Sequence, residues 1–368
     1  MVIHCCGNTP AGGSWRMDGL RNDLTEQDFS FLSQLVYFDP LRADGTPWPS
    51  RTQAHVTCRV GELLGSYRRL LGKPNDPLRP EKLSGVHAWV YEDQVEFLTN
   101  PKNDAYADWI VTGICAHNTP VESGLYGFTV HIDDHTSAVV FRGSENPKEH
   151  LNDWRASLDI SNNLLIDQHR EALAYIEERA ELLGQPGHTL YLVGHSLGGH
   201  VAQTCTFLSP EAVRANIRRC VTFNSPGFSL AFLDQYAQAV AAQKHKLLNF
   251  QNENDFVSSL LTPPVPPVIL RSQFNQFNFF CNHAISSCRL DKNGHFVPAR
   301  VQQKSFVCGG VYSWSLGIQK WSRKRQERNK WFWVSLFQGD PLYVKAFSSQ
   351  LFLLFRHRMG AVTASMFM

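Results

Sequence analysis

The stretch His188-Thr-Leu-Tyr-Leu-Val-Gly-His-Ser-Leu-Gly-Gly-His200 decides the fold of this chain. Its apolar run, residues 190–193, has the composition of a buried parallel strand. Gly-x-Ser-x-Gly comes next, followed by residues 201–208, which can form a helix. A strand, a sharp turn and a helix in this order are the setting of a nucleophile elbow, where glycines allow the strained backbone of the serine. The pattern predicts that Ser196 is a nucleophile; the alternative is a helix N-cap.

Strand-like and helix-like segments alternate through the second half of the chain. We expect strands at residues 125–132, 137–141, 219–223 and 246–250, and helices at 164–183 and 230–243. The longer helix is predicted to end at Gly184, in the left-handed conformation common after helices. Such alternation predicts an α/β fold with a mostly parallel central sheet and helices on both faces.

The first third of the chain gives a less regular pattern. Helices are expected at residues 29–37, with Thr25 as N-cap and Asp28 as the acid of a capping box, and at 60–71. Residues 75–117 contain a strand-like fragment at 86–90. This region is either a cap over a site or the irregular first part of the sheet, and we favour the second interpretation.

Length and charge predict one large domain with a distinct C-terminal segment. The chain has 368 residues, and the part from Val301 onward contains ten Lys and Arg residues but only two acidic residues. We divide it into an irregular lead-in (1–20), a main domain (21–300) and a basic, aromatic-rich segment (301–368). Tryptophan mixed with positive charge suits a lipid–water interface, which predicts peripheral contact with an anionic membrane. The alternative is that these aromatics complete the core. Without a nucleic-acid module, we expect no nucleic-acid partner.

The nine cysteines and the N-terminus bear on compartment. No Cys-x-x-Cys pair with matching histidines occurs, so we expect reduced thiols and neither a zinc site nor a disulfide scaffold. The N-terminus lacks the basic and apolar regions of a signal peptide, and no apolar run approaches ~20 residues. The sequence therefore predicts a chain made in the cytoplasm without a transmembrane helix. Peripheral membrane binding and signal-independent export remain open.

A serine nucleophile requires a base and an acid, which follow it in the order Ser, Asp or Glu, His in α/β-hydrolase folds. Asp255 stands just after the expected strand at 246–250, at the strand end where such folds place their sites. Its alternative role is to cap the turn. His283 is the favoured base and His295 the second candidate. The histidines that flank the nucleophile, His195 and His200, are expected to shape the pocket.

The oxyanion that forms during acyl transfer needs two hydrogen-bond donors. The backbone amide of Leu197 is one candidate, because it directly follows the nucleophile. Ser144 is the other, since it follows the expected strand at 137–141 and can donate from both its hydroxyl and its amide. Gly143 allows the close approach that this geometry requires.

Together these segments resemble the class 3 (fungal-type) lipases and their bacterial lipase-like relatives over roughly residues 125–297. The blocks that carry the resemblance are Phe141-Arg-Gly-Ser144, Asp153-Trp154 with Asp159, Gly194-His-Ser-Leu-Gly-Gly199, Phe223-Asn-Ser-Pro-Gly227 and Asn254-Asp-Phe-Val257. The resemblance implies an α/β-hydrolase fold with Ser196, Asp255 and His283 as catalytic residues. It also implies an oxyanion hole made by Ser144 and the Leu197 amide. Two departures stand out: the histidine follows the acid closely, and the loop after Ser144 is too short and polar for a typical lid.

These observations lead to an expected function. We expect a serine ester hydrolase that cleaves lipid acyl esters, as a lipase or phospholipase does, through an acyl-enzyme and without a metal or organic cofactor. A thioesterase or acyltransferase would use the same three residues. A non-catalytic hydrolase-fold protein that binds membranes or other proteins is the third possibility, and its base would be displaced from Ser196.

Overall fold

The computed structural model describes residues 24–42, 44–48, 54–80, 85–117, 122–144, 159–160, 164–321 and 324–325. In this part of the chain, one eight-stranded sheet forms the centre, with the strands side by side in chain order. The first four strands pair antiparallel, and β4 to β8 pair parallel. The strands are β1 (Cys58–Arg59), β2 (Ile110–Ala116), β3 (Tyr126–Asp133), β4 (Thr136–Phe141), β5 (Thr189–His195), β6 (Ile217–Phe223), β7 (Leu247–Asn252) and β8 (Val268–Leu270).

Both faces of the sheet are buried. In β5, Tyr191 and Val193 belong to one hydrophobic cluster, whereas Leu190 and Leu192 belong to another. Since successive side chains of a strand point to opposite faces, the apolar run buries itself on both sides. The α/β-hydrolase architecture expected from the sequence, a largely parallel sheet between two layers of helices, is therefore confirmed.

Helices cover each face. On one side lies α1 (Glu26–Leu35), which begins with the predicted capping box of Thr25 and Asp28. On the other side α6 (Leu197–Leu208) packs on β4, β5 and β6. The other helices are α2 (Val60–Leu70), α3 (Gly85–Thr99), α4 (Asp167–Glu178), α5 (Ala180–Leu183), α7 (Glu211–Asn216), α8 (Leu230–Gln235), α9 (Ala237–Gln243), α10 (Phe279–His283) and α11 (Phe306–Ile318).

One predicted strand was wrong, and one predicted helix differs in detail. The strand-like fragment at 86–90 lies inside helix α3, because five residues are too few for a hydrophobic period to distinguish a strand from a helix. Near the ends of that helix, Trp89 packs edge-on against Phe274, while Leu98 is buried in the core. The predicted helix at 164–183 is interrupted between α4 and α5. Gly184, which follows it, has φ −94° and is not left-handed.

The C-terminal segment is described only to residue 321 and at 324–325. Its helix α11 packs through Cys308, Ser315 and Ile318. None of the helices in the described ranges has the length and apolarity needed to cross a bilayer. The predicted domain boundaries, the cytoplasmic location and the contact of residues 301–368 with an anionic membrane stay predictions.

The seven cysteines within the described residues carry free thiols. Two of them, Cys205 on α6 and Cys220 on β6, lie fully buried between the helix and the sheet. Burial raises the pKa of the Cys220 thiol to about 12 and that of Cys205 well above its usual value. Both therefore remain neutral at physiological pH.

Candidate active site

Ser196 stands at the tight turn between β5 and α6. Its backbone has φ 56° and ψ −129°, a conformation that costs a non-glycine residue free energy, and its side chain caps no helical amide. Ser196 thus occupies the N-cap position of α6, but its side chain does not serve as the cap. The flanking glycines are required because a Cβ on Gly194 would lie 2.4 Å from the Gly198 carbonyl, and one on Gly198 would lie 2.2 Å from the Phe141 oxygen.

His283, at the end of α10, directs its ring toward this serine. The distance from His283 Nε2 to Ser196 Oγ is 2.8 Å, and the distance from His283 Nδ1 to Asp255 Oδ1 is 3.0 Å. The His283 carbonyl accepts hydrogen bonds from His195 Nε2 at 2.8 Å and from Asn224 Nδ2 at 2.7 Å. Ring and backbone of His283 are thus both held in place.

Asp255 is fully buried in the turn after β7. Its Oδ1 also accepts from the Val257 amide, and its Oδ2 accepts from the amide and the hydroxyl of Ser258. Burial by itself would raise the pKa of this carboxyl. The neighbouring His283 ring, together with Lys304 and the Ser258 hydroxyl, outweighs that effect and lowers the pKa to about 2. Asp255 is therefore ionised throughout the physiological range.

His295, the second candidate for the base, is engaged elsewhere. Its Nδ1 lies 3.9 Å from Glu26 Oε1, and its side chain is 39% exposed. The structure thus brings together Ser196, His283 and Asp255, and it pairs His295 with the start of α1.

A second series of hydrogen bonds links Tyr37, just after α1, to the elbow. The Gly143 amide donates to Tyr37 Oη at 3.1 Å, and Tyr37 Oη lies 2.8 Å from His195 Nδ1. Since His195 Nε2 must donate to the His283 carbonyl, Nδ1 is the acceptor and Tyr37 is its donor. This series connects the loop after β4, the residue before the nucleophile and the backbone of His283.

The buried histidines of the elbow are neutral. Desolvation, together with the nearby His283 ring, lowers the pKa of His195 to about 3. Burial likewise lowers the pKa of His200 to about 4 and that of His169 well below its usual value. The His200 ring stacks on Phe228 with centroids 4.1 Å apart. His195 thus contributes to the site as a hydrogen-bonding group.

Leu197 and Gly143, the residue before Ser144, lie at the elbow. A Cβ on Gly143 would meet the His195 oxygen at 2.7 Å and the Ser196 Cβ at 2.8 Å, so only glycine allows this approach. The loop is anchored by Arg142, which donates to the Val36 carbonyl and pairs with Asp39. Ser144 follows in this loop and is half-buried, whereas Leu197 is buried at the first position of α6. The Asp153-Trp154 block lies outside the described residues.

Apolar side chains surround the start of α6. They form a cluster separate from the two large cores and made of Ile160, Ile166, Leu197 and Leu261, with Leu260 packed against it. One of its members, Leu197, is the residue directly after Ser196. An acyl chain bound beside the nucleophile would find apolar contacts here.

The sequence did not indicate four residues that support the site. Tyr37 and Lys304 approach it from distant parts of the chain, and no local pattern marks them. Ser258 follows Asp255 by three residues, a spacing typical of side-chain caps, which is a usable signal. Asn224 stands in the Asn-Ser-Pro-Gly block and has φ 49°, a backbone conformation that asparagine tolerates better than most residues.

Comparison with known proteins gives the family. The model of the family described as Mbeg1-like matches residues 118–337, more than half of the chain. The chain belongs to the Mbeg1-like family. The match covers Ser196, Asp255, His283 and Lys304 of this Mbeg1-like chain. No curated protein matches it.

Several solved lipase structures are similar to this Mbeg1-like chain. The Rhizomucor miehei lipase propeptide complex is 19% identical with a TM-score of 0.33; the match covers 47% of this chain and 60% of that one. M37 lipase is 10% identical, with a TM-score of 0.38 and coverage of 72% and 92%. A triacylglycerol lipase from Penicillium expansum is 20% identical, with a TM-score of 0.30 and coverage of 52% and 75%. The chain thus spans less than two thirds of the Rhizomucor protein.

Proposed function

We propose that this Mbeg1-like protein is a serine ester hydrolase with Ser196 as nucleophile, His283 as general base and Asp255 as the acid that orients it. The observation that carries the proposal is the continuous contact from Ser196 Oγ to His283 Nε2, at 2.8 Å, and from His283 Nδ1 to Asp255 Oδ1, at 3.0 Å. These distances lie within the reach that general-base catalysis needs. A non-catalytic protein would have no reason to keep this alignment together with a strained serine.

The proposed reaction proceeds through an acyl-enzyme. His283 Nε2 accepts the proton of Ser196 as Oγ attacks the ester carbonyl carbon, and Asp255 stabilises the imidazolium at Nδ1. When the tetrahedral intermediate collapses, the alkoxy oxygen leaves with that proton as an alcohol. Water, deprotonated by His283, then attacks the acyl carbon, and the carboxylic acid departs as Ser196 recovers its proton.

The developing oxyanion requires donors next to Ser196. We assign the Leu197 amide, because the first amides of a helix have no partner within the helix. The second donor is Ser144, in the loop that Arg142 anchors and Gly143 brings against the elbow. Each donor of this kind contributes roughly 10²-fold or more to turnover.

The substrate class we propose is a lipid acyl ester. Support comes from the apolar cluster that contains Leu197, the residue directly after Ser196, because an acyl chain bound beside the nucleophile would find apolar contacts there. The solved structures to which the chain is similar are named as lipases.

Labelling with a fluorophosphonate probe tests the proposal, because such probes react only with activated serines. We expect labelling of the wild type and none of Ser196→Ala. Turnover of short-chain p-nitrophenyl esters should fall by about 10³-fold or more in His283→Ala. The matched control is His295→Ala, which removes the other candidate base and should retain near-wild-type turnover.

Two outcomes would contradict the proposal. A folded wild type that neither reacts with the probe nor hydrolyses any ester would overturn the reaction type. A larger loss in His295→Ala than in His283→Ala would overturn the choice of base. A series of acyl chain lengths separates lipid esters from short soluble esters, since a lipid hydrolase should gain kcat/KM as the acyl chain lengthens.

A further inference from the structure

A lysine from the C-terminal segment contacts the turn that carries the buried carboxylate of the site. Lys304 Nζ lies 2.9 Å from the Asn252 carbonyl, 3.1 Å from the Asp255 carbonyl and 2.6 Å from Ser258 Oγ. The Ser258 hydroxyl in turn donates to Asp255 Oδ2. His283, Asp255, Ser258 and Lys304 therefore form one hydrogen-bonded series, with the lysine at the end opposite the base.

The partners of Lys304 define its protonation state. All three accept hydrogen bonds: two are carbonyl oxygens, and the third is a hydroxyl whose own proton is given to Asp255. Three acceptors match the three protons of an ammonium group. Burial lowers the pKa of Lys304, and the nearby Asp255 carboxylate opposes that effect and favours the ammonium form. Lys304 is thus a cation placed two hydrogen bonds from the Asp255 carboxylate.

The neighbouring chain fixes this lysine in place. The amide of Ser305 donates to the Glu253 carbonyl at 2.8 Å, and the buried Cys308 thiol approaches the Asp255 carbonyl at 3.3 Å. These contacts clamp the start of α11 onto the turn that carries the acid. Lys304 therefore has little freedom to move away from Ser258.

Other titratable groups also face this series. His283 and His195 lie on one side of Asp255, with ring centroids 4.8 Å apart, and the thiols of Cys288 and Cys308 lie on the side of Lys304. His195 is neutral above about pH 3, and burial raises the pKa of Cys288 to about 12. Asp255 and Lys304 consequently provide the fixed opposite charges that the His283 ring experiences near neutral pH.

We propose that Lys304 is a positioning residue of the site: it neutralises the buried Asp255 carboxylate, turns the Ser258 hydroxyl toward it and so sets the pH range in which His283 works as a base. A fixed cation disfavours the imidazolium form of a nearby histidine. Removal of the cation should therefore favour the imidazolium form of His283. The inference rests on the proposed function for its catalytic consequence, but the charge effect is measurable without turnover.

The test compares the full-length wild type with Lys304→Met, Lys304→Gln and Lys304→Arg. Removal of the cation should move the acid limb of the kcat/KM profile upward by about 1 pH unit, a loss of about tenfold on the acid side, with little change at pH 8. Lys304→Arg should restore most of the wild-type profile. Lys320→Met is the matched control, because Lys320 is exposed and lies in the same segment.

An NMR titration of the His283 ring gives a readout that does not depend on activity. We expect its protonation midpoint to rise by the same ~1 unit in Lys304→Met and Lys304→Gln. The glutamine variant can still donate to the same acceptors, so it keeps the test valid if the methionine variant does not fold.

Equal midpoints in the wild type and a folded neutral variant would overturn the inference, as would a loss of turnover that is uniform across pH. If the wild type proves inactive while the midpoint shifts as expected, the proposed function fails and the charge coupling stands.

Discussion

The two halves of the candidate site are held by different kinds of interaction. The elbow that presents Ser196 is fixed by backbone sterics, since Gly194 and Gly198 fit where no Cβ could. The half that presents Asp255 and His283 is fixed by hydrogen bonds from side chains such as Asn224 and Ser258. The first rests on backbone contacts of the elbow with itself and with the end of β4, whereas the second is assembled from side chains in separate parts of the chain.

This difference tells how each half should respond to change. A side chain that overlaps backbone atoms cannot relieve the overlap by rotating, so a single substitution at an elbow glycine should cause a large loss of stability. A hydrogen-bonded network loses one contact at a time, at about 1 to 3 kcal/mol for each buried group left without a partner. The loss of stability caused by a substitution should therefore be larger at the elbow than in the hydrogen-bonded half. Acid should also destabilise the two halves at different pH values.

The largest effect is expected from Gly198→Ala. The added Cβ would lie 2.2 Å from the Phe141 oxygen and 2.6 Å from the Arg142 carbonyl, and both are backbone atoms that cannot turn away. We expect the free energy of unfolding to fall by about 3 kcal/mol or more, measured by urea denaturation. The control is Gly309→Ala on helix α11, where the new Cβ meets no atom within 4 Å. That substitution should leave stability unchanged or raise it by about 0.5 to 1 kcal/mol, and a similar loss in both variants would refute the steric argument.

Acid should destabilise the elbow side before the carboxylate side. His200 has its pKa lowered from 6.5 to about 4 by burial, so between these values the unfolded chain binds more protons than the native one. Stability must then fall as the pH falls from 6.5 toward 4, by roughly 3 kcal/mol from this residue. The stabilising contribution of Asp255, whose pKa is about 2, is lost only from its usual pKa near 4 down to about 2.

Urea denaturation at pH 7, 5.5 and 4 checks this order. His200→Gln should reduce the loss of stability between pH 6.5 and 4, because the variant has no proton to take up on unfolding at that position. A wild type whose stability is constant down to pH 4 would show that the buried imidazoles do not control acid unfolding.

The smallest effect is expected from Tyr37→Phe, which removes one hydroxyl between the two halves. The Gly143 amide and His195 Nδ1 each lose a partner, so we expect about 1 to 2 kcal/mol of destabilisation. Ester turnover should fall by about tenfold in kcat with little change in KM, because the oxyanion loop and His283 lose a shared support. The control is Tyr106→Phe, which removes a hydroxyl bonded to Asp28 and should leave turnover intact. Equal kcat values for the wild type and Tyr37→Phe would show that the link is structural only.

Much of the fold could be predicted from the sequence because its signals are local. The apolar run of β5, the Gly-x-Ser-x-Gly turn and the capping box of α1 are each contained within a few residues. The strands on either side of the sheet centre were found for the same reason. Helix α3 was missed because a short apolar run has no period that separates strand from helix.

The candidate site was only partly predictable. Chain order and strand ends pointed to Asp255 and favoured His283, but the distance to Ser196 depends on where α10 docks. Tyr37 and Lys304 could not be found, since they come from segments about 160 residues before the nucleophile and about 110 after it. Only the packed structure brings such residues together.

The buried thiols of Cys205 and Cys220 provide the molecule with internal chemical reporters. Because each is fully enclosed and its pKa is raised, an alkylating reagent can reach it only when α6 lifts from β6. Cys308, beside Asp255, would record opening of the acid turn instead. The order in which these thiols are alkylated therefore shows which part of the molecule opens first by local unfolding, without any added label.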